Sequence, residues 1–258
     1  MPERRGRRPL SGLASSSWDA LRPSRPTVAS PPLDLPFVGR EKETAYVVKE
    51  LEAERSVVLT GPFGIGRTAL VAYLARQMAG DWLFAFARCD QGPAQVWSTL
   101  FAAIFPRAAA RPTRRRPHSA RSLRYRVSNQ PPEDRRHHAI VLDDIARVTA
   151  PGLDVARRLR GKYRVIAIVE AFVPEAQQAA LCSALWARPP LRLGYLSRAA
   201  TLEYFEACGH RLGLGWGAGE VSGLARAVAG FPLGMRQAVA SELRRRRASP
   251  GDLLAGAH

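Results

Sequence analysis

Residues 61–68 read Gly-Pro-Phe-Gly-Ile-Gly-Arg-Thr, directly after the apolar run Val57-Val58-Leu59 and directly before an apolar-periodic stretch that begins at Ala69. Glycines at 61, 64 and 66 let successive backbone N–H groups turn inward around an anion. A helix starting at Arg67-Thr68 would add unpaired donors and the positive end of its dipole. About 80 residues later, a second apolar run at 137–142 ends in Asp143-Asp144. The chemistry such a set can support is phosphoryl transfer. Backbone amides from Gly61, Pro62, Phe63, Gly64, Ile65, Gly66, Arg67, Thr68 and Ala69 shape the phosphate cradle, in which proline contributes backbone but no donor. The Thr68 hydroxyl and the Asp143 carboxylate are the oxygen ligands for a hydrated Mg²⁺.

These groups meet only if the strands carrying them are parallel, because parallel strands deliver their C-terminal ends to one edge. The chain supplies such strands. Apolar runs at 57–59, 82–87, 137–142 and 163–169, with a short one near 191–193, alternate with helical patterns at 41–55, 69–79, 95–105, 153–160 and 174–186. This alternation predicts an α/β fold with a parallel sheet and helices on both faces. Beyond residue 197 the strands stop. Helical patterns at 199–209, 220–229 and 233–245 predict a small all-helical subdomain over 197–247.

The flanks and one internal stretch differ in composition. Residues 1–35 are rich in Arg, Pro and Ser without periodicity and read as a disordered basic tail, and 248–258 as a fraying one. Residues 107–136 hold ten arginines against Glu133 and Asp134, with four prolines, and read as a basic loop or partly helical insertion in the domain at 36–196. The net charge of +17 favours polyanions, although arginine in place of lysine at surface positions is also what a GC-rich genome produces. If nucleic acid binds, 107–136 and 244–247 are the stretches to contact phosphates, without reading bases. Cys89, Cys182 and Cys208 form no CxxC pair, which fits a reduced cytoplasmic protein. No apolar run reaches the length of a membrane span, and the N-terminus lacks a signal-peptide core.

The loop has the spacing of the Walker A motif, GxxxxGK[ST], with Arg67 in the lysine position. Together with FVGRE at 37–41, IVLDD at 140–144, LSRAATLEYF at 196–205 and GFPLGM at 230–235, it resembles the AAA+ and STAND class of P-loop ATPases. The resemblance covers about residues 36–245. It implies a five-stranded parallel sheet of order 5-1-4-3-2, a helical lid, and ATP with Mg²⁺ as ligands. It also implies a base pocket in which Val38 and Gly39 lie near the adenine and Pro232 closes over the nucleotide.

Three positions depart from that pattern. Arg67 keeps the charge but carries it on a longer, planar fork. Asp144 is one methylene shorter than the glutamate many members use to orient water. Glu170, after the fourth strand, stands where a polar or arginine sensor is common, and would repel a terminal phosphate unless it points elsewhere. The expected activity is therefore nucleotide binding with slow hydrolysis, or a nucleotide-dependent switch that self-assembles or engages a protein partner. Two alternatives stay open: a DNA-associated, ATP-gated adaptor of a mobile-element or defence system, and a degenerate scaffold that does not hydrolyse.

Overall fold

The computed structural model describes residues 35–110 and 119–248; the expected tails at 1–34 and 249–258, and the arginines at 111–116, lie outside the described residues. Within them the chain runs α1 (Glu41–Glu52), β1 (Val57–Gly61), α2 (Arg67–Gln77), β2 (Trp82–Arg88), α3 (Pro93–Ile104), α4 (Pro106–Ala110) and α5 (Ala120–Asn129). It continues with β3 (His137–Ile145), α6 (Ala150–Arg160), β4 (Arg164–Glu170), α7 (Glu175–Leu185), β5 (Leu191–Arg192), α8 (Arg198–Arg211), α9 (Ala218–Val228) and α10 (Pro232–Ala248). The five strands are parallel and ordered β2-β3-β4-β1-β5, which is the expected order read from the other edge.

The strands are apolar on both faces because both are covered. Val58, Ile140, Leu142, Val165 and Ala167 point into one core against α3, α5, α6 and α7. Their neighbours Val57, Leu59, Ala139, Val141, Ile166 and Ile168 point the other way, into a second core against α1 and α2. The two-residue side-chain period thus fixes the register of each strand, since a one-residue slip would exchange the two cores.

That register gathers chemistry at the C-terminal edge. Gly61 is level with Glu170 across β1 and β4, and Arg88 with Asp143 across β2 and β3. Between β3 and β4 the ladder shifts after Leu142, and Asp144 takes a left-handed backbone, φ 58°. This bulge sends the two consecutive aspartates in different directions.

The arginine-rich stretch is helical in part. Pro106 opens α4, with Glu133 accepting from the backbone N–H groups of Arg107 and Ala108 at its start. Ser119 caps α5, which buries Leu123 and Val127 in the core that holds α3. The helix α6 begins earlier than its apolar spacing suggests, at Ala150, because Thr149 caps it and Pro151 fits its first turn.

Candidate nucleotide site

The loop between β1 and α2 is built around positions that exclude a side chain. Gly61, Gly64 and Gly66 have φ of 151°, 79° and 94°. A Cβ at Gly61 would come 2.7 Å from the Leu193 carbonyl oxygen, and one at Gly64 would come 2.8 Å from Leu233. Ile65, fully buried, pins the loop to the core beneath it, while Pro62 and Phe63 are exposed at its tip. The loop thus keeps the left-handed glycines and helix N-terminus that an anion cradle requires. Thr68 and Ala69 lie exposed on the first turn of α2.

Thr68 and Asp143, 75 residues apart, meet across this edge. The Thr68 hydroxyl donates to the Asp143 carboxylate at 3.0 Å, and the Asp144 N–H donates to the other Asp143 oxygen at 2.8 Å. Burial pushes the Asp143 carboxyl above its usual value, partly offset by these two hydrogen bonds. A hydroxyl beside a carboxylate is the small hard-oxygen set that suits Mg²⁺, which keeps most of its remaining coordination for water and phosphate. No cluster of three or more acids, histidines or cysteines able to hold a metal occurs among the described residues. Asp144, expected to orient water, has its carboxylate 3.1 Å from Arg88 Nε at the end of β2, and Arg88 also pairs with Asp90.

Arg67 and Glu170, two separate departures in the sequence, form one unit in space. Arg67 is buried, and its guanidinium reaches β4, where Nη1 donates to the Val169 carbonyl and Nη2 to Glu170 Oε2 at 2.7 Å. Glu170 is directed at the arginine, which answers the repulsion expected of an acid at that position. The sequence signal for this pair was the coincidence of an unusual cation in the loop with an unusual anion after the fourth strand.

Around the loop, the residues expected at the base side lie in one continuous set of contacts. Gly39, φ 68°, is packed so that a Cβ would come 2.4 Å from Ala200 on α8, with Leu196 beside it. Leu196 donates its N–H to the Gly230 carbonyl at 2.9 Å. Gly230 leads through Phe231 to Pro232, the first residue of α10, whose ring lies 3.9 Å from where a Gly66 Cβ would stand. The next residue, Leu233, donates its N–H to the Gly64 carbonyl at 3.1 Å. Val38, partly buried, precedes Gly39 in the same segment.

One residue of this region carried no role in the sequence. Arg40 is 5% exposed; it bridges to the Ile65 carbonyl of the loop at 3.2 Å and to the Gly194 carbonyl beyond β5, and pairs with Glu43 at 2.7 Å. It therefore fixes the back of the loop to the 37–41 segment. Its only sequence signal was its place inside FVGRE.

The sequence profile of the AAA ATPase domain family matches residues 36–169, just over half of the chain. No curated protein matches it. Among solved structures, the Orc1 protein of Aeropyrum pernix, determined in complex with DNA, is similar with a TM-score of 0.61 at 14% identity, over 83% of this chain and 62% of that one. Cdc6p of Pyrobaculum aerophilum gives 0.54 at 13% identity, over 86% and 64%. The RuvB Holliday junction branch migration motor of Thermotoga maritima gives 0.52 at 12%, over 83% and 63%. At such identities the likeness is one of fold, and the chain spans less than two thirds of the length of these three structures. Among the described residues no helix is long and apolar enough to cross a membrane.

Proposed function

Because the chain belongs to the AAA ATPase domain family, we propose that it is an ATP-binding switch of the AAA+/STAND type whose hydrolysis is slow. The observation that carries this reading is the division of labour at the sheet edge: the Thr68–Asp143 pair is in place beside the loop, while Arg67 is committed to Glu170. In this reading the backbone N–H groups of residues 61–69, Pro62 excepted, hold the β- and γ-phosphates, and Val38, Gly39 and Pro232 flank the base. Thr68 and Asp143 hold Mg²⁺, which when bound supplies neutralising charge. Transfer is slow for two reasons. The cation at position 67 is anchored by two hydrogen bonds and does not follow the phosphate as charge moves. The water-orienting carboxylate of Asp144 is itself paired with Arg88. The contact of Leu233 with the loop offers a route from nucleotide to α10 and so to a partner or a second copy. Three free cysteines fit a reducing, cytoplasmic setting.

The test is turnover, measured where calorimetry shows the site filled with Mg-ATP. Saturable binding with very slow turnover supports the switch, and no binding at all would leave the degenerate scaffold.

A second reading, association with DNA, draws on exposed residues of α5 and of α6. Arg121, Tyr125, Arg157 and Arg158 all lie exposed there, though Arg158 is tied to Asp154. The 244–247 run supports it less, because Arg245 and Arg246 are paired with Glu242. Titrating duplex DNA at several salt concentrations should give a log–log slope of about −2 if Arg121 and Arg157 each release a counterion. A flat slope, or no binding near physiological salt, marks the arginines as compositional.

A further inference from the structure

The pair formed by Arg67 and Glu170 has a consequence for which nucleotide the site holds. We infer that Glu170 is the specificity-determining residue of the site and that it makes the site favour a nucleoside diphosphate over a triphosphate. This rests on the nucleotide-site reading above and adds to it the identity of the residue that sets phosphate number.

Glu170 is level with Gly61, the first glycine of the loop, and its carboxylate accepts from Arg67, the first residue of the helix that follows the loop. The side chains of Arg67 and Glu170 are only 7% and 16% exposed. A pair so far removed from water is held tightly, because separating it leaves two poorly hydrated charges. Its geometry also explains the residue type in the loop. A guanidinium can serve the Val169 carbonyl and the Glu170 carboxylate from two nitrogens of one plane, which the single ammonium of lysine does not reproduce. Arg67 and Glu170 are thus matched to each other.

The charge inventory at the rim then decides the preference. Asp143, Asp144 and Glu170 face two arginines, Arg67 and Arg88, both already engaged by carboxylates. A diphosphate needs the loop amides and the helix N-terminus, which this structure supplies. A triphosphate adds a further negative group and requires a cation to meet it. With Arg67 held by Glu170, that group either has the metal alone to offset it, with no side-chain cation, or breaks the buried pair. Both lower the affinity for triphosphate and leave that for diphosphate alone.

Calorimetric titration of the full chain with Mg-ADP and Mg-ATP, repeated on Glu170→Gln, reads this directly. The unmodified protein should bind ADP at least about tenfold more tightly than ATP. Glu170→Gln keeps the shape and the Arg67–Val169 contact but removes the competing charge, so ATP should gain affinity and the ratio should fall to about threefold or less, with ADP little changed. ATP binding as tight as ADP in the unmodified protein would overturn the inference without help from any variant, as would an unchanged ratio in Glu170→Gln. Failure of both nucleotides to bind would overturn the site reading itself. Equal binding of the two would leave that reading standing and sink only the role of Glu170.

Discussion

Replacing Arg40 with alanine should lower the stability of the folded chain by roughly 2–4 kcal/mol, a large part of the total stability typical of a domain this size. The guanidinium is almost fully buried, and its loss strips the Ile65 and Gly194 carbonyls of their donor and leaves Glu43 without its partner. Glu43 is partly open to water and recovers some hydration, so most of the loss comes from the two carbonyls. Denaturant unfolding should show an earlier midpoint with an unchanged slope, the signature of a stability change at constant exposed surface. Lysine at the same position should recover little, since one ammonium has to span two carbonyls that the forked side chain reaches together. A midpoint within experimental error of the unmodified protein would show that the 37–41 segment does not brace the loop.

The second large effect concerns the metal side. Asp143→Asn should remove the Mg²⁺ dependence of nucleotide binding, so that chelating the metal weakens the unmodified protein at least about tenfold and leaves the variant unaffected. The same substitution should not destabilise the fold. Burial raises the Asp143 carboxyl above its ordinary value, so the native state binds that proton more tightly than the unfolded chain does. The resulting penalty sets in as pH climbs past the unfolded value and is complete above the raised folded one. An amide carries no such penalty and still accepts a hydrogen bond from Thr68 or from the Asp144 backbone. Thermal unfolding at neutral pH should therefore occur at the same temperature or slightly higher, and at low pH the two proteins should converge. A variant that lost both folding and nucleotide binding would assign Asp143 a structural role instead.

The parts of this site written in short stretches were readable in advance. Glycines at 61, 64 and 66 declare their backbone angles by their identity, and an apolar run ending in Asp143-Asp144 declares a strand end. The alternation of strands and helices then required the two to share an edge, and the register of Gly61 with Glu170 and of Arg88 with Asp143 is how they do so. What escaped was long-range and depended on side-chain direction. Arg40 touches partners 25 and 154 residues away, and no local pattern marks an arginine that is destined for the interior. Arg67 and Glu170 were each visible as oddities, but 103 residues separate them, and their cancellation appears only once β1 and β4 lie side by side. In α5 just Leu123 and Val127 are buried, too faint an apolar stripe to stand out among so many arginines.

Steady-state ATP turnover at saturating Mg-ATP reads whether this site holds nucleotide better than it cleaves it. The rate should lie below about 0.01 s⁻¹, two orders under the ~1 s⁻¹ at the low end of typical enzymes. A rate near ~1 s⁻¹ or above, lost on Thr68→Ala and so belonging to this site, would contradict it.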